Sequence, residues 1–390
     1  MNILLINDYL EGGGAEAVFR EQADILQTEH SVSLFYGVES IATRSMRPLS
    51  YIHSCYFKKK LSTFLNEHHF DTIIVHNYNG ILSPSILDSL QAYKRKTGCK
   101  IVHYAHDYHL LCPNRGYCYF RQGRTINYET SPTISEFLFR RLDSRGMVHS
   151  LLKKMQWLWA YSMGKKYRVF DLILAPSVFL CNQIKDRYPE LRVEHLYNPC
   201  NALQTTPFPK RRENDGLLKL VYFGRLTQEK GLVDFINALK QSNVNYSFTL
   251  IGEGEHKLAI ERAIQQNGLS DKVFVKSKMD HSELFIALQE YDVFVLPSLW
   301  YENAPLSIVE AASLGLDLFL ADHGGVREIG SICHATHFFN PFDSTDIVRK
   351  LDLLYESFFA YQMPKPDIEC LKQLFSQENY KQQLNYLIKR

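Results

Sequence analysis

An uninterrupted apolar run, Val293-Phe294-Val295-Leu296, stops at Pro297, and after a polar loop a second proline, Pro305, opens the stretch Leu306-Ser307-Ile308-Val309-Glu310-Ala311-Ala312. The run reads as a buried parallel strand, 297–303 as its loop, and 305 onward as a helix with proline at its favoured first position. Where a parallel strand feeds a helix, the first-turn N–H groups point into the crevice at the strand ends, and phosphate is welcome there. Glu302 and Glu310 frame that turn. Carboxylates repel a diphosphate, so this pair fits hydrogen-bond acceptors for hydroxyl groups, and the ligand implied is a phosphate flanked by two polyols, the shape of a nucleotide-sugar. The plainer alternative is two acids on a solvated helix start, favoured by the helix dipole.

The rest of the chain repeats the strand and helix alternation of a doubly wound parallel sheet, and its 390 residues exceed one ordinary core. Strands are predicted over 2–7, 31–36, 72–76, 100–104 and 171–175, with helices over 15–26, 57–66 and 83–94 between them. A segment rich in Thr, Pro and charge, 201–215, reads as a linker after a first domain 1–200; a second domain covers 216–365 and a last helical segment 366–390. The chain opens on an acid-containing strand rather than a charged leader, and no apolar run approaches the ~20 residues of a membrane span, so a cytoplasmic protein is expected, at most peripheral to a membrane. Eight scattered cysteines without Cys-x-x-Cys spacing fit reduced thiols.

Gly12-Gly13-Gly14-Ala15-Glu16-Ala17 formally fits a dinucleotide-binding turn, but the four residues 8–11 separate it from the predicted strand, whereas such a turn normally follows its strand directly. His103, His106 and His109 invite a metal reading; strand alternation sends the first two to opposite faces and carboxylates are sparse, so no metal is expected. Arg225 and Lys230 sit on a strand-end loop, where two cations would neutralise a diphosphate. Over 140–168, eight cations face one acid, Asp143, with Trp157 and Trp159 interleaved. That mixture suits a surface-lying helix on an anionic membrane, and equally a helix packed on the sheet with a solvated basic face. Nucleic acid is the poorer fit, because the formal charge of the whole chain is only +2.

The context Pro-Ser-x-Trp-Tyr-Glu-Asn-x-Pro-Leu-x-Ile-x-Glu-Ala, together with Gly-Arg-x-x-x-x-Lys-Gly at 224–231, the glycine loop and the His106-Asp107 pair, resembles the retaining GT-B glycosyltransferases of family 4. The resemblance covers the whole chain. It implies an α/β fold of two facing Rossmann-like doubly wound domains with a cleft between them, the terminal helix returning to the first. It implies that Glu302 faces the donor sugar, that Asn303, Ala304 and Leu306 hold sugar and diphosphate, that Glu310 holds the ribose, and that Arg225 and Lys230 hold the diphosphate. Gly13 and Gly14 would bring amides near the donor; His106 would hydrogen-bond the sugar and help place the acceptor, with Asp107 orienting that region. The reaction implied moves a hexosyl group from a nucleotide-sugar, UDP-linked before GDP-linked, to a saccharide or lipid-linked saccharide of a bacterial surface polysaccharide, with retention. No Asp-x-Asp occurs, so no metal or other cofactor is expected, its place being taken by Arg225, Lys230 and the helix starting at Pro305. An epimerase or hydrolase acting on nucleotide-sugars, or a noncatalytic binder, is the alternative on the same fold. Leu316-Asp317 stands where relatives have Gly-x-Pro.

Overall fold

The computed structural model describes residues 1–40, 48–200, 203, 216–335, 337–360 and 367–390. The predicted linker 201–215, apart from Leu203, and the predicted boundary at 365 lie outside the described residues. The chain forms two compact units, one of Met1–Pro199 with Gln377–Arg390, the other of Cys200–Ser376.

The first unit is built on a six-stranded parallel sheet. Its strands are β1 (Asn2–Glu11), β2 (Ser31–Ser40), β3 (Thr72–Val75) and β4 (Lys100–Tyr104), then, after a two-stranded hairpin β5 (Cys118–Arg121) and β6 (Arg124–Asn127), β7 (Leu172–Ala175) and β8 (Val193–His195). The order β2-β1-β3-β4-β7-β8 reverses direction between β1 and β3. Ile3 to Tyr9 are buried without interruption, as a strand covered on both faces requires. β1 runs further than its sequence suggests, because β2 pairs with it as far as Glu11 opposite Ser40 and holds it extended. The glycine turn therefore follows its strand directly, and the spacing argument against a dinucleotide turn falls. The hairpin was not predicted; its signal is Gln122-Gly123, both at positive φ, between two runs that contain β-formers.

The last helix, Gln377–Lys389, lies on the first unit. Tyr380 accepts a hydrogen bond from Gln22, Lys381 pairs with Glu29 at 2.8 Å, and the Lys100 ammonium donates to the Leu387 carbonyl at 2.9 Å.

The second unit carries β9 (Leu218–Phe223), β10 (Tyr246–Ile251), β11 (Val273–Lys276), β12 (Val293–Leu296), β13 (Asp317–Ala321) and β14 (His337–Phe339), all parallel, in the order β11-β10-β9-β12-β13-β14. Its direction switches between β9 and β12, and the loops leaving those two strands flank the switch. Helix Leu232–Leu239 packs on this sheet through Phe235, which is fully buried among Phe248, Phe319 and Phe339 at ring distances of 5.5, 6.1 and 5.7 Å.

Phe235→Ala should cost this unit about 3–5 kcal/mol, the usual effect of emptying an aromatic site in a tight core. Urea unfolding followed by circular dichroism measures it; a loss under about 1 kcal/mol would mean that the cluster does not close this core.

Candidate functional site

The helix after β12 runs Leu306–Ser313, with Pro305 as its N-cap rather than its first residue, since its ψ of 103° is extended. Ahead of it, the loop from Pro297 is held by two neighbours. Gly231 presses on the Pro297 carbonyl, which a β-carbon would strike, while the Leu299 amide donates to the Glu229 carbonyl at 2.8 Å. On the other side, Gly325 lies against the Asn303 carbonyl just as closely, and its amide donates to the Glu302 carbonyl at 2.9 Å. His323 completes the hold with a ring nitrogen 2.7 Å from the Ser298 carbonyl. Only side-chain-free residues permit these approaches, so the loop that carries Glu302 is positioned by the loops after β9 and β13.

Within this frame, one Glu302 oxygen, Oε1, accepts from the Lys230 ammonium at 2.6 Å, the Ser298 hydroxyl at 2.7 Å and the Trp300 indole at 2.9 Å. The Lys230 and Glu302 side chains are 13% and 12% exposed, so solvent screens the pair little. Burial alone would raise the Glu302 carboxyl; the adjacent Lys230 charge and the three donors outweigh it and hold the group below the ordinary carboxylate range. The structure thus joins two residues that the sequence assigned separate roles. Lys230, expected on a diphosphate, gives one of its three N–H donors to Glu302. Ser298 and Trp300, absent from the predicted set, are the groups that fix the carboxylate; their signal was a hydroxyl and an indole four and two residues before an acid.

Arg225 stands apart, 61% exposed and 3.9 Å from Glu229, with its carbonyl tied to the Tyr222 hydroxyl at 2.7 Å. Asn303, Ala304, Leu306 and Glu310 are half-buried along the loop and helix. Glu310 lies 3.9 Å from His281, whose imidazole it draws above its usual pKa.

In the first unit, Gly13 and Gly14 sit at the start of helix Gly14–Gln27, but the Gly13 amide donates to the Glu16 carboxylate at 2.8 Å. A carboxylate from the chain itself occupies the place at this amide that the sequence reading gave to a ligand. Buried Asp8, at the same strand end, is satisfied by the Gly80 and Leu82 amides and sets a second acid beside Glu16. Asp8 also lies 3.8 Å from the Arg115 guanidinium, so the turn holds a cation as well as two acids. His106 lies just past β4, its Nε2 2.7 Å from Nδ1 of His76, a fully buried residue that the sequence reading did not single out. Asp107 accepts from the His109 amide at 2.9 Å and lies 3.5 Å from Arg115.

Segment 140–168 is not one helix. It comprises helix Met147–Trp157, a π-helical turn Leu158–Met163 and most of a 3-10 turn Lys166–Val169. Most of its cations are engaged within the fold: Lys153 and Arg145 pair with Asp143, Lys154 is buried against the Leu138 carbonyl, and Lys166 meets Asp88 beneath Trp159. Trp157 is core. Arg145, Lys165 and Arg168 are exposed, and beside these cations an apolar group also faces water: Met147, Val148, Leu151 and Met155 on the helix, with Phe139 at 89% exposure before it. The basic face expected on either sequence reading is thus reduced to these exposed cations. Among the described residues no helix is long and apolar enough to cross a membrane.

Comparison with known proteins bears chiefly on the second unit. Residues 204–362 match the model of the glycosyl transferases group 1. The amylovoran biosynthesis glycosyltransferase AmsK of Erwinia amylovora is 31% identical over 120 residues, 29% of this chain and 30% of that protein. The chain therefore aligns with less than a third of that relative's length. Among solved structures, sucrose-phosphate synthase from Thermosynechococcus elongatus superposes with a TM-score of 0.72 at 16% identity, covering 100% of this chain and 98% of that one. HepE of Anabaena in complex with UDP gives 0.67 at 17% identity, covering 100% of both chains. The fold is GT-B: two Rossmann-like units, each with a six-stranded parallel sheet.

Four imidazoles give a pH test. Desolvation pushes His76 and His109 well below the usual histidine range, His103 to about 4 and His106 to about 3. In the unfolded chain these rings take up protons near pH 6.5, so the unfolded state binds more protons below that point. Their contribution to stability is present above pH 6.5 and is lost as pH falls toward the folded values. The urea midpoint should drop between pH 7.5 and 5, and His106→Gln should reduce that slope. A midpoint that holds or rises on acidification would sink the assignment of these rings as buried and neutral.

Proposed function

We propose that this chain, whose second unit carries the glycosyl transferases group 1 match, moves a hexosyl group from a nucleotide-sugar to a saccharide or lipid-linked saccharide in bacterial surface polysaccharide synthesis. The observation that carries the reading is the Glu302 carboxylate, held ionised by Lys230 at the point where the second sheet changes direction. An open parallel sheet binds its ligand at that point, outside the strand ends. A buried anion there accepts hydrogen bonds from sugar hydroxyls. Lys230 keeps two further N–H donors for a phosphate oxygen, and the first-turn amides of helix Leu306–Ser313 add the positive end of a dipole. Glu310, one helical turn on, takes the ribose. UDP is the favoured carrier, in keeping with the UDP complex of the HepE structure.

The proposed reaction retains configuration and uses no metal. As the bond from the sugar to the diphosphate breaks, Lys230, Arg225 and the helix start balance the charge that builds on the leaving oxygen, and that oxygen receives the acceptor's proton on the same face. His106 accepts a hydrogen bond from a substrate hydroxyl on the first unit, with Asp107 steadying Arg115 behind it.

Glu310→Ala should weaken UDP binding by about 1.5–3 kcal/mol, the loss of a hydrogen bond to a charged group, whereas Glu302→Ala should spare UDP affinity and lower turnover of the sugar donor. Isothermal titration with UDP, beside a donor-consumption assay run with and without EDTA, decides this. Wild-type UDP affinity in Glu310→Ala, or activity abolished by EDTA and restored by magnesium, would overturn the respective assignment.

We propose in addition a peripheral membrane contact that serves a lipid-linked acceptor. The exposed Met147, Val148, Leu151 and Met155 share one side of their helix and suit burial at the boundary of headgroup and acyl chain. Vesicle flotation should persist in high salt and be lost in a Val148→Asp, Leu151→Asp variant. Flotation that salt abolishes, or that the variant retains, would exclude this face as the contact.

A further inference from the structure

The two carboxylates that frame the helix after β12 are held very differently. Glu302 gives one oxygen to three donors, whereas the Glu310 carboxylate, 22% exposed, has a single charged neighbour among the described residues, the His281 imidazole, with Nε2 3.9 Å from Oε1. The main chain of Glu310 is fixed, its carbonyl accepting from the Leu314 amide at 3.2 Å and the Ser313 hydroxyl at 2.7 Å. The side chain beyond it turns about three torsions before the carboxylate is reached. His281 comes from a distant part of the sheet. It opens helix His281–Ala287, which leaves β11 at the sheet edge and crosses back past β10 and β9 to β12. Its ring rests edge to face on buried Phe285, 4.2 Å between centroids, so the imidazole has a seat although 61% of its side chain faces water. The charged groups set against the ring are Glu310, from the helix after β12, and Asp280, beside it in the chain. Asp280 is occupied as the N-cap, accepting from the Glu283 amide at 2.9 Å and the Ser282 hydroxyl at 2.7 Å.

We infer that His281 is a positioning residue for the nucleotide: its imidazolium holds one oxygen of Glu310 and leaves the other to take the ribose hydroxyls, so that ribonucleotides are preferred to ligands lacking them. The inference rests on Glu310 taking the ribose, as proposed above. A glutamate without a partner surrenders side-chain freedom when a ligand arrives, at a cost of about two- to tenfold in affinity, and a partner already present in the free protein removes part of that cost. An exposed ion pair adds little to stability, so the effect is read in binding and not in unfolding. Glu310 draws the imidazole above its usual pKa. The pair is therefore complete at low pH and fades as the pH rises past that raised value.

Isothermal titration of UDP and of 2′,3′-dideoxy-UDP, which lacks both ribose hydroxyls, gives the preference as a ratio from which the diphosphate's own titration cancels. The wild type at pH 6 should prefer UDP by at least about tenfold, the weight of a hydrogen bond to a charged group. His281→Ala should lower that ratio about threefold, and Glu310→Ala should abolish it. The double variant should match Glu310→Ala, because His281 acts through the carboxylate. Raising the pH from 6 to 8.5 should lower the ratio in the wild type and leave it level in His281→Ala and in His281→Lys, which keeps a cation throughout. An unaltered ratio in His281→Ala, beside a lost one in Glu310→Ala, would overturn this inference alone. An unaltered ratio in Glu310→Ala would remove the ribose assignment together with it.

Discussion

A carboxylate taken out of water is costly unless its charge is matched, and the second unit is arranged around one such group. Glu302 offers a single oxygen to Lys230, Ser298 and Trp300, so the loop after β9 and the loop after β12 are joined through one anion. The pair is unequal in what its loss costs: Lys230 removed leaves a buried negative charge, whereas Glu302 removed takes one acceptor from the ammonium, the Ser298 hydroxyl and the Trp300 indole. The glycines at 231 and 325 bring the neighbouring backbones close enough for this to happen. Charge pairing and backbone proximity here serve the same end, a carboxylate whose direction is set before a ligand arrives.

The two sheets bring distant loops together by the same rule with different strand orders. In the second unit the reversal lies between β9 and β12, and Lys230 and Glu302 leave those two strands. In the first, it lies between β1 and β3, and the elements that meet there are Asp8, the glycine turn and His76. A strand order is a long-range property, yet it decides which loops can share a ligand.

Much of this was legible because periodicity and punctuation are local. The run 293–296, its two prolines and the framing glutamates gave strand, loop and helix within a residue or two, and β4 was predicted at its observed bounds. What escaped was set by partners distant in sequence. β1 outlasts its apolar run because β2 stays paired with it. Lys153, Lys154 and Lys166 read as a basic face, but Asp143, the Leu138 carbonyl and Asp88 draw them in, and composition does not tell a cation in solvent from one in a pair. Gln22 and His76 carried no motif; Gln22 meets Tyr380, 358 residues on, and His76 meets both Gln22 and His106.

That separation bears on how the molecule is made. The first unit is discontinuous: its sheet comes from the early part of the chain, and helix Gln377–Lys389, which covers Gln22, Glu29 and Lys100, is synthesised after the whole second unit. During translation the first sheet can collapse while the surface meant for that helix is still bare, and the second unit can fold to completion in the interval. The final docking closes a loop of more than three hundred residues, a step whose entropic cost grows only slowly with length but whose contacts come last. An early-terminated chain would thus retain both six-stranded sheets while Gln22, Glu29 and Lys100 lost the partners that this helix gives them.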